Sequence, residues 1–123
     1  QTQYCFDIDR LKAYMSEIRD MGLDKKVFIL AGVGPLASAK SAEWIRNNVA
    51  GVHIPDDIIK RLAGANDQRQ EGVNICIDMV NQVKEIDGVS GVHIMAYRQE
   101  ERIAEIVEKT KVLGDRKPWH PNR

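Results

Sequence analysis

Phe28-Ile29-Leu30-Ala31-Gly32-Val33-Gly34-Pro35-Leu36-Ala37-Ser38-Ala39-Lys40 runs from β-prone apolar residues into two glycines and a proline. Val27 to Ala31 is continuously apolar and partly β-branched, which predicts a strand buried on both faces, as in a parallel sheet covered by helices. The segment from Gly32 to Ala37 spells G-x-G-x-x-A, the loose form of the dinucleotide-binding fingerprint. Two readings are open here. In one, the glycines cradle a pyrophosphate, and Asp56, about 20 residues on, holds a ribose. In the other, they mark a tight exit from a buried strand. Pro35 weakens the first, because it removes an N–H from the turn that would hold the phosphates. Pro55 and a short helix also follow Val52-His53-Ile54, where a further strand–helix unit would be needed.

On either side of this stretch the pattern alternates. Tyr4 to Phe6 reads as the end of a strand. Asp7 or Asp9 caps a helix whose face is Ile8, Leu11, Met15 and Ile18, and Gly22 stops it. After the glycines, Ser38 caps a helix carrying Ala42, Ile45 and Val49 on one face. Pro55 is expected at the first position of a short helix. A longer helix is predicted from Glu71 to about Ile86, striped by Val73, Cys76, Ile77, Val80 and Val83. Gly88 to Gly91 is expected as a turn, Val92 to Ala96 as a third strand, and Ile103, Ile106, Val107 and Thr110 as the face of a last helix. The charged face of that helix reads as solvated surface. Such alternation defines the α/β class, with a parallel sheet and crossover helices.

The totals exclude several functions. The chain has 123 residues, enough for one domain, with 18 basic and 18 acidic residues. The zero net charge offers no field for a nucleic-acid backbone. No apolar run reaches the roughly 20 residues of a membrane span. Cys5 and Cys76 are too few for a disulfide framework and read as buried thiols, which points to a reducing, cytoplasmic setting. His53, His93 and His120 stand apart, with no metal-ligand spacing and no general-base partner. The chain opens directly on an apolar strand-like segment, so a fragment of a larger domain is expected.

Five stretches in order resemble the methylenetetrahydrofolate reductase family. Thr2-Gln3-Tyr4-Cys5-Phe6-Asp7 is similar to its T-Q-x-x-F-D, and Gly32-Val33-Gly34-Pro35 to its G-I-x-P strand exit. Ile54-Pro55 follows. Gly72 to Val80 resembles the family's long helix, and Gly91 to Tyr97 its final barrel strand. The resemblance covers residues 1 to about 113 and leaves 114–123 as an extended tail.

The resemblance implies an eight-stranded βα barrel. Such barrels need at least about 200 residues. The chain is therefore expected to be the C-terminal portion of a (β/α)8 TIM barrel: the end of strand six, then strands seven and eight with their helices. The glycines then lie at the C-terminal end of a barrel strand, on the active-site face. The implied chemistry is hydride transfer from NAD(P)H to FAD and on to methylenetetrahydrofolate. The family's general acid and most of its flavin contacts are expected upstream, so the chain by itself is expected to be inactive.

For site residues, the resemblance matches Gln3 to the glutamine that holds the pterin and the nicotinamide, a role suited to an amide with both donor and acceptor. Ser41 stands where the family often has glutamine, and Ile45 where it has phenylalanine, with Trp44 adjacent. Tyr97 replaces a pocket leucine, and Gln99 falls where the family has arginine, with Arg98 one place early. The expected partners are a folate, the rest of the barrel or another copy of the chain, and a homo-oligomer. Two alternatives stand beside this: a non-catalytic folate-binding or subunit-assembly module, and a small Rossmann-like nucleotide binder.

Overall fold

A computed structural model describes residues 1–122. Helix α1 (Ile8–Asp20) leads through a 3-10 turn at Leu23–Lys25 into strand β1 (Ile29–Val33). Three helices follow, α2 (Ala39–Asn48), α3 (Asp56–Ala63) and α4 (Gln68–Val83). Strand β2 (Val89–Ile94) then precedes a 3-10 turn at Glu100–Arg102 and α5 (Ile103–Thr110). The two strands pair in parallel, in register from Leu30↔Gly91 to Val33↔Ile94. Ser90 is the extra residue of a bulge below that register, and its hydroxyl accepts from the Ile29 N–H at 3.2 Å.

The segment before α1 adds a third, short strand position. Tyr4 bridges Gly32 in parallel, Thr2 N–H donates to Leu30 O at 3.0 Å, and Cys5 N–H donates to Gly32 O at 2.9 Å. Three consecutive parallel strand ends therefore sit side by side, each followed by helix. This is the α/β class expected from the sequence.

Helix starts follow local chemistry. Asp7 accepts from Arg10 N–H and caps α1. Ser38 and Ser41 form a reciprocal capping box on α2. Asp67 accepts from Gln70 N–H, so α4 begins three residues earlier than the Glu71 start expected from its apolar stripe. Pro55 is the N-cap of α3, so the helix begins at Asp56, one place after the start expected at Pro55.

Helix α4 organises the core because all three apolar clusters use it. Ile75 and Met79 join Leu36, Ile58 and Leu62 under α2 and α3. Val83 joins Met15, Ile18 and Ala31 beneath α1. Val73, Cys76 and Val80 join Val33 and Ile106 beneath α5. A helix apolar around most of its circumference is a buried helix.

Two sequence expectations are corrected. Strand β1 is shifted two residues toward the glycines, because Val27 N–H is still engaged by Leu23 O in the preceding turn. It is also buried on one face only. Ile29, Ala31 and Val33 pack on the helices, while on the other side Leu30 is 37% exposed and the preceding Phe28 is 88% exposed. Strand β2 likewise starts at Val89, before the expected Val92. The turn before it is closed by Val89 N–H donating to Ile86 O, with Gly88 at φ 93°, and Gly91 is already paired with Leu30.

Candidate functional site

The C-terminal ends of the three strand positions converge on Gly34. Met95 N–H donates to Val33 O at 2.8 Å, which extends the pairing past β2. The Tyr4 hydroxyl crosses from the first strand position and donates to Met95 O at 3.0 Å. Gly34 is what lets it pass: a Cβ there would overlap Met95 O and stand 2.6 Å from the Tyr4 ring. The ring is further held by stacking on Phe6, with centroids 5.6 Å apart and planes 15° apart.

This geometry decides the glycine motif. The space a cradling glycine would leave for a pyrophosphate is filled by protein, and Pro35 has no N–H to offer. Gly32 is equally closed, since a Cβ would lie 2.6 Å from Thr2 O and 2.8 Å from Gln3 O. The pair is a tight strand exit, and the Rossmann reading is set aside.

The residues expected in a site divide into three groups. Gln3 is exposed and lines a cleft of about 280 Å³ along the outer edge of the first strand position. Asp7, Arg10 and Tyr14 of the α1 side and His53 line the same cleft. Tyr97 and Arg98 are exposed beyond β2, with the guanidinium 5.3 Å from the ring centroid, a cation–π contact. Arg98 holds φ at 56°, in the left-handed region that few side chains adopt. Gln99, next in the chain, is turned inward and 2% exposed. Its Nε2 donates to Pro35 O at 3.2 Å, while its Oε1 is buried without a partner.

Ser41 and Ile45 face other tasks. The Ser41 hydroxyl accepts from Ser38 N–H at 3.1 Å and donates to Ser38 O at 3.0 Å, so its polar capacity is largely committed to the cap. Ile45 is half-buried and packs on the cluster under α2 and α3. Trp44 is 62% exposed. Tyr4 escaped the sequence reading of the site, although it sits beside Gln3. Only its pairing across Gly34 gives it a place there, and that contact spans 91 positions.

The turn that carries Tyr97 and Arg98 is braced from below. Arg102 donates to Gln70 Oε1 at 2.9 Å, and Gln70 Nε2 donates to Glu105 Oε1 at 3.1 Å. The Lys109 ammonium beside Glu105, with the Gln70 amide, holds the Glu105 carboxyl below the usual range.

The thiols are chemically quiet. Burial pushes Cys76 up to about 12. Burial also raises Cys5, partly offset by hydrogen bonds from Thr2 and Gly32. A raised thiol pKa favours the folded state while the unfolded thiol stays neutral. The Cys76 contribution therefore holds below its ordinary value of 9.0 and is lost as pH rises from there toward about 12. At pH 8, Cys76 is expected to resist a disulfide reagent for as long as the chain stays folded, and both thiols are expected to react at once in denaturant. Rapid labelling of native Cys76, located by peptide mass, would contradict this burial. Among the described residues no cluster of His, Cys, Asp or Glu could hold a metal ion, and no helix is long and apolar enough to cross a membrane.

Adjacent parallel strands, each passing into helix, define a segment of a parallel α/β fold. The particular family follows from comparison with known proteins: the family model of methylenetetrahydrofolate reductase matches residues 1–111. The chain belongs to the methylenetetrahydrofolate reductase family. No individual curated protein matches it.

Proposed function

We propose that the chain supplies three consecutive strand–helix units to a methylenetetrahydrofolate reductase barrel and forms part of its folate and nicotinamide wall. The observation that carries this reading is the family match over residues 1–111, taken with the three parallel strand ends that meet at Gly34. In parallel barrels the site is built at that end of the strands. A barrel of eight strands has room for five more beside these three, and the exposed Phe28 and Leu30 face is the side they would cover.

Gln3 is the principal contact in this reading. Its amide offers a donor and an acceptor to a pterin edge. Tyr97 and Arg98 stand at the rim, where a cation beside a ring suits an anionic, aromatic ligand. Ser41, Ile45 and Gln99 shape the wall from behind through the cap, the core and the Pro35 contact. The family's flavin supplies hydride chemistry when bound. The described glycines do not fit a pyrophosphate, because Tyr4 and Met95 occupy that space, so FAD contacts are assigned to other parts of the enzyme. NAD(P)H is the proposed reductant. The partner across the open sheet edges is the remainder of the barrel or a second copy.

Calorimetric titration with methyltetrahydrofolate tests the reading. Saturable binding is expected, weakened about tenfold in Gln3→Ala, the loss of roughly one charge-assisted or two neutral hydrogen bonds. Equal affinity in the variant would remove Gln3 from the wall. Absence of binding by the chain, with binding by an assembled barrel, would assign folate recognition to the assembly.

A further inference from the structure

The turn from Met95 to Gln99 is fastened at both ends, to the first strand position and to the β1 exit. At its start, Met95 donates its N–H to Val33 O at 2.8 Å, and its carbonyl oxygen accepts from the Tyr4 hydroxyl at 3.0 Å. At its end, Gln99 N–H donates to Ala96 O at 3.0 Å, and its buried amide reaches Pro35 O at 3.2 Å. Between the two ties, Tyr97 and Arg98 project into solvent, Arg98 in the left-handed backbone region. A non-glycine residue keeps such a conformation where its surroundings impose it. The first tie reaches over Gly34 from the residue next to Gln3.

We infer that Tyr4 is a positioning residue: its hydroxyl latches the Met95 carbonyl and so sets where Tyr97 and Arg98 stand relative to Gln3. Three features single out the hydroxyl. The ring is already held by Phe6 and by the gap at Gly34, so the O–H is not needed to place it. The bond is half-buried, where a lost partner leaves the Met95 oxygen short of a donor. It also joins the first and last strand positions directly, a link that no backbone pairing makes among the described residues. The consequence for ligand affinity rests on the folate reading above; the latch itself does not.

Tyr4→Phe keeps the ring and removes only the donor. Amide exchange at Arg98 and Gln99, followed by NMR in the unliganded chain, is expected to quicken about fivefold, the scale of one hydrogen bond. Affinity for methyltetrahydrofolate is expected to fall by about the same factor, with the far-ultraviolet helix signal retained. Unchanged exchange from Ala96 to Gln99 overturns the latch. Faster exchange with unaltered affinity overturns the positioning role. If the unsubstituted chain binds no methyltetrahydrofolate, that result counts against the folate reading, and exchange alone decides the latch. The unsubstituted chain supplies a second readout, free of any folding defect: a slowly exchanging Tyr4 hydroxyl proton with a cross-peak to Met95. A freely exchanging hydroxyl there also overturns the latch.

Discussion

Gly72→Ala is expected to lose about 3 kcal/mol of unfolding free energy, the upper range for overpacking a well-filled site. Gly72 lies in α4, where helix propensity alone predicts a gain of about 1 kcal/mol for alanine. The neighbouring chain reverses that sign. A Cβ at Gly72 would overlap the Leu36 carbonyl oxygen and stand 2.8 Å from its carbon and 3.2 Å from its nitrogen. These are backbone atoms just beyond the Gly34-Pro35 exit, so no rotamer change relieves them. Either α4 or the strand exit must move, and α4 belongs to all three core clusters. Urea unfolding measures the effect directly. A midpoint lowered by at least about 1 M is expected from ordinary denaturant slopes. A raised midpoint would mean that α4 does not approach Leu36 this closely.

Gly34→Ala should cost a comparable amount, about 2 kcal/mol or more, because it forces apart Tyr4 and Met95 at the heart of the site. Thermal unfolding is expected to fall by roughly 8 °C or more at this chain length. The same substitution separates the two readings of the glycine motif. A phosphate-cradling glycine would lose nucleotide affinity and keep its stability. A strand-exit glycine loses stability first. A melting temperature within about 1 °C of the unsubstituted chain would reopen the nucleotide reading.

The order of strands and helices was legible because apolar periodicity is a local property. Leu11, Met15 and Ile18 mark α1 by spacing alone, and Asp7 and Ser38 mark their caps. The family was legible for a different reason: five short motifs occur in order, and the family model covers the same residues. Strand ends were less legible. Val27 and Phe28 look like strand by composition, yet the 3-10 turn before them holds Val27 back, and Phe28 remains in solvent. The start of α4 was missed because its first turn is polar and its signal is the Asp67 cap, not the apolar stripe. At the site, the family resemblance suggested Gln3, Tyr97 and Arg98, all of which are exposed. The fates of Ser41 and Gln99 depended on neighbours. One serine was taken by a reciprocal cap, and one glutamine was turned inward toward Pro35. Such partnerships have no periodicity to read.

The parallel pairing has a temporal cost. Ile29 meets Val89, about 60 residues later in the chain, so β1 leaves the ribosome long before its partner exists. At synthesis rates of about 5–20 residues per second, the interval is about 3–12 seconds. Throughout it, the edge of β1 that will meet β2 has no partner strand, and Leu30 lies beside it. Helices α2, α3 and α4 must be made before the sheet can close, and closure of so long a loop slows folding. The vulnerable moment in the life of this protein therefore comes before folding is complete, when a β-prone apolar segment waits with one edge unpaired in a crowded solution.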